Sequence, residues 1–531
     1  MSLRRKPLAR RFAIFLSIAF AGCTLIGPDF KRPAAPVASK WTAANDADVN
    51  IQPADYRDWW TIFNDADLTR LVEMGYRNNL SLRVAGVRVL EARAQLGIAI
   101  GEFYPQQQVA SASFNYNRIP LSLPYILNEN TYWADSFGAQ AAWEIDFWGK
   151  LRRAIESADD AFLASVANYD NALVSLTADI ASAYVQTRTI EAQITIAHEN
   201  VERQQKALKI AQAKFKYGTA TKRDVYQAED VLGATQASIP QLHIQLAQSQ
   251  DALSLLLGAP PGTSQELLVG SAGIPGTTAN LSAGMPADLL RRRPDVRQAE
   301  LMAAAQCAQI GFAKADLMPT FSLTGNVGTF SSNIGRASLG DVFNHSTLGF
   351  GVGPVVQWNI LNYGQITNNV RVQDAKFQEA LINYQNTVLN AQKEVEDGLN
   401  TFIQSRRQVE FLKASVTAAE GALKISVIQY RQGIADFTTV LTAEQNLFQA
   451  QNNLALATGS IALGLISTYR ALGGGWELRE GHDFIPLQTQ HEMQNRTNWG
   501  TLLMPQLLRP KAPGLPSPAD EQKPLVRPPE F

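Results

Sequence analysis

Residues 347–358 read Thr347-Leu348-Gly349-Phe350-Gly351-Val352-Gly353-Pro354-Val355-Val356-Gln357-Trp358. Leu348, Phe350, Val352, Pro354, Val356 and Trp358 alternate with Thr347, Gly349, Gly351, Gly353 and Gln357. A period of two predicts an extended strand with one apolar face and one small or polar face. A second stretch behaves alike: Trp133, Phe137, Ala139, Ala141, Trp143 and Ile145 alternate with Tyr132, Ser136, Gly138, Gln140 and Glu144. Two more candidates, near 107–118 and 320–330, alternate less cleanly. Two-faced strands of this length with terminal aromatics suit a membrane β-barrel. A half-buried sheet in a soluble domain would alternate equally well.

The two clear strands are copies. At an offset of 215, Trp143, Gly149, Asp159 and Phe162 fall on Trp358, Gly364, Asp374 and Phe377, and Ala207-Leu208-Lys209-Ile210 returns as Ala422-Leu423-Lys424-Ile425. At 214, Arg83, Gly97 and Pro105 fall on Arg297, Gly311 and Pro319. A near-constant offset marks a tandem duplication.

Each copy carries helical periods around its strand pair. Ile155, Ala158, Phe162, Val166, Tyr169, Leu173, Leu176, Ile180 and Tyr184 advance by about 3.6 residues, the period of a straight helix face. Ile194, Ala197, Val201, Gln204, Leu208, Ala211 and Phe215 advance by 3.5, a left-handed seam. A helix over 149–216 would be about 100 Å long. Helices at 78–104 and 219–257, stacked end to end, would match it. Pro240 should kink the latter locally. The predicted fold is mainly α with a membrane β-barrel, with four long or stacked rods and four strands per chain. Four strands cannot close in lipid, where unpaired backbone groups cost several kcal/mol each. Two copies would give eight strands filled by side chains, and three would give twelve around a lumen.

Composition narrows the function. The 531 residues are 46% hydrophobic and 18% charged, with net charge −1. Arg4, Arg5, Lys6, Arg10 and Arg11 precede any acid, and the remaining 42 basic and 48 acidic residues leave −6, against a nucleic-acid partner. Residues 1–22 read as a secretory signal ending at Ala21-Gly22-Cys23. No apolar run reaches the ~18–20 residues of a spanning helix. The five histidines lack ligand spacing, so no metal site is expected, and no nucleophile–base pair or phosphate loop suggests an enzyme. Trp59-Trp60 reads as an anchor on the helices. The Pro-rich tail from 477 is expected to be extended or disordered, with no readable role.

Taken together, the chain resembles the TolC-type outer membrane factor family, in its lipoprotein branch (OprM/NodT-like). The resemblance covers about 23–476. It rests on Cys23, Gly27-Pro28-Asp29-Phe30, Arg32-Pro33, Trp59-Trp60, Leu289-Leu290, Arg292-Arg293-Pro294-Asp295 and Ala299-Glu300, with Tyr217-Gly218 and Gln432-Gly433 at the hairpin turns. It implies a signal peptide over 1–22, a lipid on Cys23 and no other cofactor, an acylated N-terminal segment over 23–58, repeats over 59–284 and 285–476, and a tail over 477–531. Ordinary signal cleavage would instead leave Cys23 free.

The implied assembly is a homotrimer in the bacterial outer membrane, with a twelve-stranded barrel and a periplasmic α-helical tunnel. The implied function is export duct for drugs or other small molecules, partnered by a periplasmic adaptor and an inner-membrane pump of RND type. The outer channel of a type I protein secretion system and a periplasmic coiled-coil scaffold remain alternatives. Tyr217, Gly218, Thr219, Gln432, Gly433 and Ile434 are the implied adaptor-docking tips, or else simple helix stops. Asp436 and Asp224 are candidate constriction acids, with Thr439 and Thr442 where some relatives carry acids. A solvated surface carboxylate is the alternative for each.

Overall fold

The computed structural model describes residues 25–44, 46, 49–50, 56–119, 131–268, 273–276, 281–282, 284, 286, 292–333 and 338–503. The signal segment, Cys23, and the chain beyond 503 lie outside the described residues. Helices α1 (Ala66–Asn78) and α2 (Leu80–Gly101) lead into strands β1 (Gln107–Arg118) and β2 (Thr131–Ile145), then α3 (Lys150–Lys216) and α4 (Lys222–Leu256). After the short α5 (Thr263–Leu267), the order returns as α6 (Pro294–Ala315), β3 (Thr320–Ser332), β4 (Leu348–Gln357), α7 (Gln365–Gln432) and α8 (Phe437–Ala471). A last helix, α9 (Leu487–Arg496), follows.

The long helices have 67 and 68 residues, about 100 Å each. Their buried positions follow the sequence period: Val166, Tyr169, Leu173, Leu176, Ile180 and Tyr184 on α3, and Tyr384, Val388, Ala391, Val395 and Leu399 on α7. Helix α4 runs through Pro240 without interruption. Helix α8 is long and apolar enough to cross a membrane, contrary to the expectation from apolar runs. Its Ala- and Leu-rich face is instead buried in the bundle, against α7 and α3.

The short helices are spliced end to end. Asn79 caps α2, accepting from the Leu82 amide at 2.8 Å, while its Nδ2 donates to the Leu256 carbonyl at the end of α4 at 2.9 Å. In the second unit Arg293 stands at the start of α6 and donates to the Ala471 carbonyl at the end of α8 at 2.7 Å. Both splices satisfy a carbonyl that a helix C-terminus leaves free. The rods therefore form an arc: α2 continued by α4, then α3, then α6 continued by α8, then α7.

The main core lies at the level of the splices. Trp41, Tyr56, Trp59, Trp60 and Phe63 are buried there with Leu173, Tyr184, Phe402, Leu465 and Tyr469. Trp59 stacks on Tyr469 with centroids 5.7 Å apart, which makes the tryptophan pair an anchor. The extended or disordered tail expected from 477 is corrected for 477–503. Phe484, Ile485, Met493 and Leu503 join this core, and Arg479 pairs with fully buried Asp170 at 2.6 Å. The prolines that suggested an extended tail are concentrated beyond 503, and averaging over the whole segment hid its apolar beginning.

Candidate functional site

The four long strands form one antiparallel sheet in the order β1-β2-β3-β4, and within the described chain both outer edges lack a partner. Register places Ala110, Ala112, Phe114 and Tyr116 of β1 on one face with Phe137, Ala139, Ala141 and Trp143 of β2. Phe321, Leu323 and Val327 of β3, then Leu348, Phe350, Val352 and Val356 of β4, continue that face. The other face carries Ser113, Asn115, Ser136, Gln140, Glu144, Thr324, Asn326 and three glycines of β4, with Val109, Phe330 and Val355 as its large apolar members. Ser113 and Ser136 share a hydrogen bond at 2.8 Å on it. A soluble half-buried sheet would cover its apolar face with helices. Here Phe350 is 82% and Val352 75% exposed.

Aromatic residues bracket the apolar face. At the outer end Trp133 packs on Phe114 and Tyr116, each with centroids at 4.8 Å. At the helical end the indole N–H groups of Trp143, Trp148 and Trp358 donate to the carbonyls of Phe103, Pro319 and Leu317 at 3.2, 2.8 and 3.0 Å. Trp133 and Trp143 lie ten residues apart on one face. For a tilted strand that spacing is about 25 Å of height, the apolar band of a membrane barrel.

The segment from Leu25 begins at this inner aromatic level. Leu25 packs on Gly149, and the Ile26 amide donates to the Trp148 carbonyl at 3.2 Å. Gly27, with φ +105°, lies against Gly311; a Cβ there would stand 2.4 Å from the Gly311 Cα. Asp29 pairs with Arg153 at 2.7 Å and Arg32 with Glu300 at 2.6 Å. The strap then descends along α7, where Gln392 bonds the Ala38 amide and Pro36 carbonyl, and Glu396 takes the Thr42 amide. Asp46 meets Arg407. The residues that carried the resemblance near the N-terminus thus hold this strap. Cys23 is two residues before its first described residue.

The opposite end holds both hairpins. Gly218 (φ +74°) and Gly433 (φ +78°) take the left-handed turn that ends each long helix. Thr219 N–H closes on the Lys214 carbonyl and Ile434 N–H on the Gln429 carbonyl, both at 2.9 Å. Tyr217 and Ile434 stand 78% and 71% exposed, and Thr219 and Gln432 are exposed beside them. Asp224 and Asp436 are not equivalents. Asp436 is the exposed N-cap residue of α8 and makes no capping bond through its side chain. Asp224 lies three residues past its cap, Thr221, whose hydroxyl donates to its carboxylate at 2.8 Å. Its counterpart at the 215 offset is Thr439; Thr439 and Thr442 are both exposed.

Sequence reading missed the pair that joins the two hairpins. Lys214 donates to the Tyr430 carbonyl and lies 4.3 Å over its ring, while Tyr430 packs on Phe437 at 4.9 Å. Burial, then the nearby Asp224 carboxylate, pushes the Tyr430 phenol above its ordinary pKa. Tyr430 stands where the first unit has Phe215, which is half-exposed, and that change of residue type was the available signal. Among the described residues no three His, Cys, Asp or Glu side chains stand as a metal site.

The sequence profile described as outer membrane efflux protein matches residues 71–259 and 285–474, two segments whose starts lie 214 residues apart. Nodulation protein T of Rhizobium leguminosarum bv. trifolii is 29% identical over 467 residues, 87% of this chain and 96% of that protein. The cation efflux system protein CusC of Escherichia coli O6:H1 is 30% identical over 465 residues, 87% of this chain and 98% of that protein. The solved outer-membrane channel OprN superposes with TM-score 0.79 at 30% identity, covering 86% of this chain and all of that one. The open-state MtrE channel of Neisseria gonorrhoeae gives 0.74 at 26% identity, over 86% of this chain and 99% of its own.

Proposed function

The chain belongs to the outer membrane efflux protein family, and on that premise we propose that three copies close into one export duct for small molecules. Members of the family are outer membrane channels of efflux pumps, with long periplasmic helices, working with an adaptor and an inner-membrane transporter. One observation carries the reading: a two-faced, uncovered sheet with two free edges continues directly into helices about 100 Å long. Free edges are not tolerated in lipid, so the sheet must close on further copies. Three copies give twelve strands and leave a lumen, with the polar face lining it and the apolar face toward lipid.

The flanks of the arc support closure. Leu80, Ile98, Ile244 and Leu255 on the α2/α4 rod and Ile382, Phe411 and Ile425 on α7 are exposed in the single chain. The inner-membrane partner is an RND-type pump. Cys23 carries the lipid, a reading supported by the strap starting at the inner aromatic level, within reach of the bilayer. The adaptor docks on the exposed tips at Tyr217–Thr219 and Gln432–Ile434. Asp436, free of a capping bond, forms a ring of three carboxylates at the tunnel mouth, with Asp224 behind it. Such a duct has no catalytic step.

The test is conductance of the detergent-purified chain in a planar bilayer, with native mass taken on the same sample. A three-chain species is expected to give discrete conductance steps. Small flickering steps that Asp436→Ala enlarges would show the carboxylate ring at work. No insertion, with a mass near one chain, would overturn the duct and restore the scaffold.

A further inference from the structure

The face of the sheet that the duct turns inward is nearly free of charge. Along the four strands Glu144, at the inner end, is the one charged side chain on it, and no Met, Cys or His stands there. Its two aromatic residues, Tyr132 and Phe330, both lie toward the outer end. Tyr132 is half-buried, whereas Phe330 is 61% exposed. Among the described residues the Phe330 ring meets no other aromatic ring. A buried phenylalanine would contribute roughly 1.5–3 kcal/mol to stability, and the single chain leaves most of that unused.

The surroundings of Phe330 are built from small groups. It stands in register with Ser136, whose hydroxyl is bonded to that of Ser113, one row inside the level of Phe114. The next row inward on the same face reads Ser111, Gly138, Gly328 and Gly349. At Gly328 strands β2 and β3 close so tightly that a Cβ would stand 2.8 Å from the Phe137 carbonyl oxygen, so the floor there must stay bare backbone. Ring and floor bound a concavity of about 520 Å³, which Gln140 and Asn326 also line. Among the described residues neither side-chain amide makes a hydrogen bond. An aromatic wall, a bare floor and two open amides suit a solute with a flat apolar face and a polar edge.

We propose that Phe330 is a specificity-determining residue of the duct. Three copies form an aromatic collar at the outer mouth, where outgoing solutes with an aromatic or other flat apolar face are held before release. The inference rests on the polar face lining the lumen, and adds the class of cargo. Twelve strands spaced about 4.8 Å apart and tilted about 40° enclose a radius of about 12 Å. The collar therefore narrows the mouth without closing it. Hydrated ions pass between the rings, and a solute that stacks on a ring stays longer.

The probe is naphthalenesulfonate, added on the barrel side of single channels in a planar bilayer, with methanesulfonate as its ringless partner of equal charge. Naphthalenesulfonate is expected to give brief current blockades and methanesulfonate none. Phe330→Ala should shorten the blockades about fivefold, the effect of losing one aromatic contact, and Phe330→Trp should keep them. Gly349→Val raises the floor without touching Phe330, since the nearest heavy atom to a Cβ there is 4.0 Å away. It should shorten the blockades as well. Gly353→Val, further inward on the same face, has nothing within 4 Å of its Cβ and should leave them unchanged. Blockades as long in Phe330→Ala and Gly349→Val as in the parent, or shortened equally by Gly353→Val, would overturn the proposal. So would a parent channel that conducts and shows no blockade, or one that methanesulfonate blocks as long. Those results sink the collar alone, whereas an absence of conductance in the unsubstituted chain sinks the duct.

Discussion

Glu444 shows how position outweighs residue type. Its first-unit counterpart, Glu229, is exposed, whereas Glu444 is 3% exposed and its Oε2 has no hydrogen-bond partner among the described residues. Burial pushes its carboxyl up to about 7, against the opposing pull of Arg203. Unfolded, the group ionises near 4.5. Between those values the unfolded chain sheds a proton that the folded chain keeps, so stability falls as pH rises and the loss is complete above about 7. Its full size is about 3 kcal/mol. Glu444→Gln should therefore raise the thermal midpoint at pH 8 and leave it nearly unchanged at pH 4. An equal gain at both would trace the effect to packing instead of charge. Asp170 is the converse case, a buried carboxylate with a partner. Burial raises its pKa while Arg479, bonded at 2.6 and 3.1 Å, holds it down. Among the described residues, Arg479→Ala leaves that carboxylate with Arg297 at 4.0 Å as its one ion-pair partner. The expected cost is about 3 kcal/mol, read as faster hydrogen exchange over 484–503; protection equal to the parent's would show that the apolar contacts alone hold the segment. Neither acid was legible, because a single sequence shows the seam but not which polar neighbour of the seam the other helices cover.

At the scale of elements, what repeats locally was legible and what pairs at long range was not. The strands and the long helices announce themselves by periods of 2.0, 3.5 and 3.6, and their observed ends lie within a few residues of those periods. The strap has no period, and its partners are remote: Arg32 meets Glu300, 268 residues away. The splices were legible only as a sum of lengths. The side chains that make them, an amide in one unit and a guanidinium in the other, share no chemistry that a repeat search would align. Gly27→Ala tests the strap. The added Cβ meets backbone at 2.4 Å, which cannot yield as a side chain would, and the φ of +105° is strained for alanine. Hydrogen exchange over 26–44 should rise several-fold while α3 and α7 stay protected. Unchanged exchange in the strap would mean that Asp29–Arg153 and Arg32–Glu300 suffice to hold it.

At the scale of the whole molecule, the duplication was fully legible and the number of copies was not. Offsets of 214 and 215 recur in the paired helices, in the splices and in the two profile-matched segments. Copy number leaves no such trace, since one chain fixes only an arc with two different flanks. That difference has a consequence. One flank is the α2/α4 rod with β1 at its end, and the other is α7 with β4. A ring built by rotation about the tunnel axis, of two copies or of three, joins unlike flanks head to tail, whereas a two-fold axis passing through one flank joins that flank to its own copy and leaves the sheet open. A photo-reactive residue replacing Ile98, Ile244 or Leu255 in turn, in isotopically heavy chains mixed with light ones, reads this directly. In the ring the label from heavy chains lands on light peptides of α7 (Gln365–Gln432), and the reverse placement at Ile382 or Phe411 labels α2 or α4. Cys307 leaves such samples chemically quiet, since it is buried and burial pushes its thiol up to about 11. Labels joining α7 to α7 would signify a pair that leaves the sheet open, and head-to-tail labels from a two-chain species would signify eight strands that enclose packed side chains and no lumen. Head-to-tail labels from a three-chain species fix both the order of chains and the twelve strands that an open duct requires.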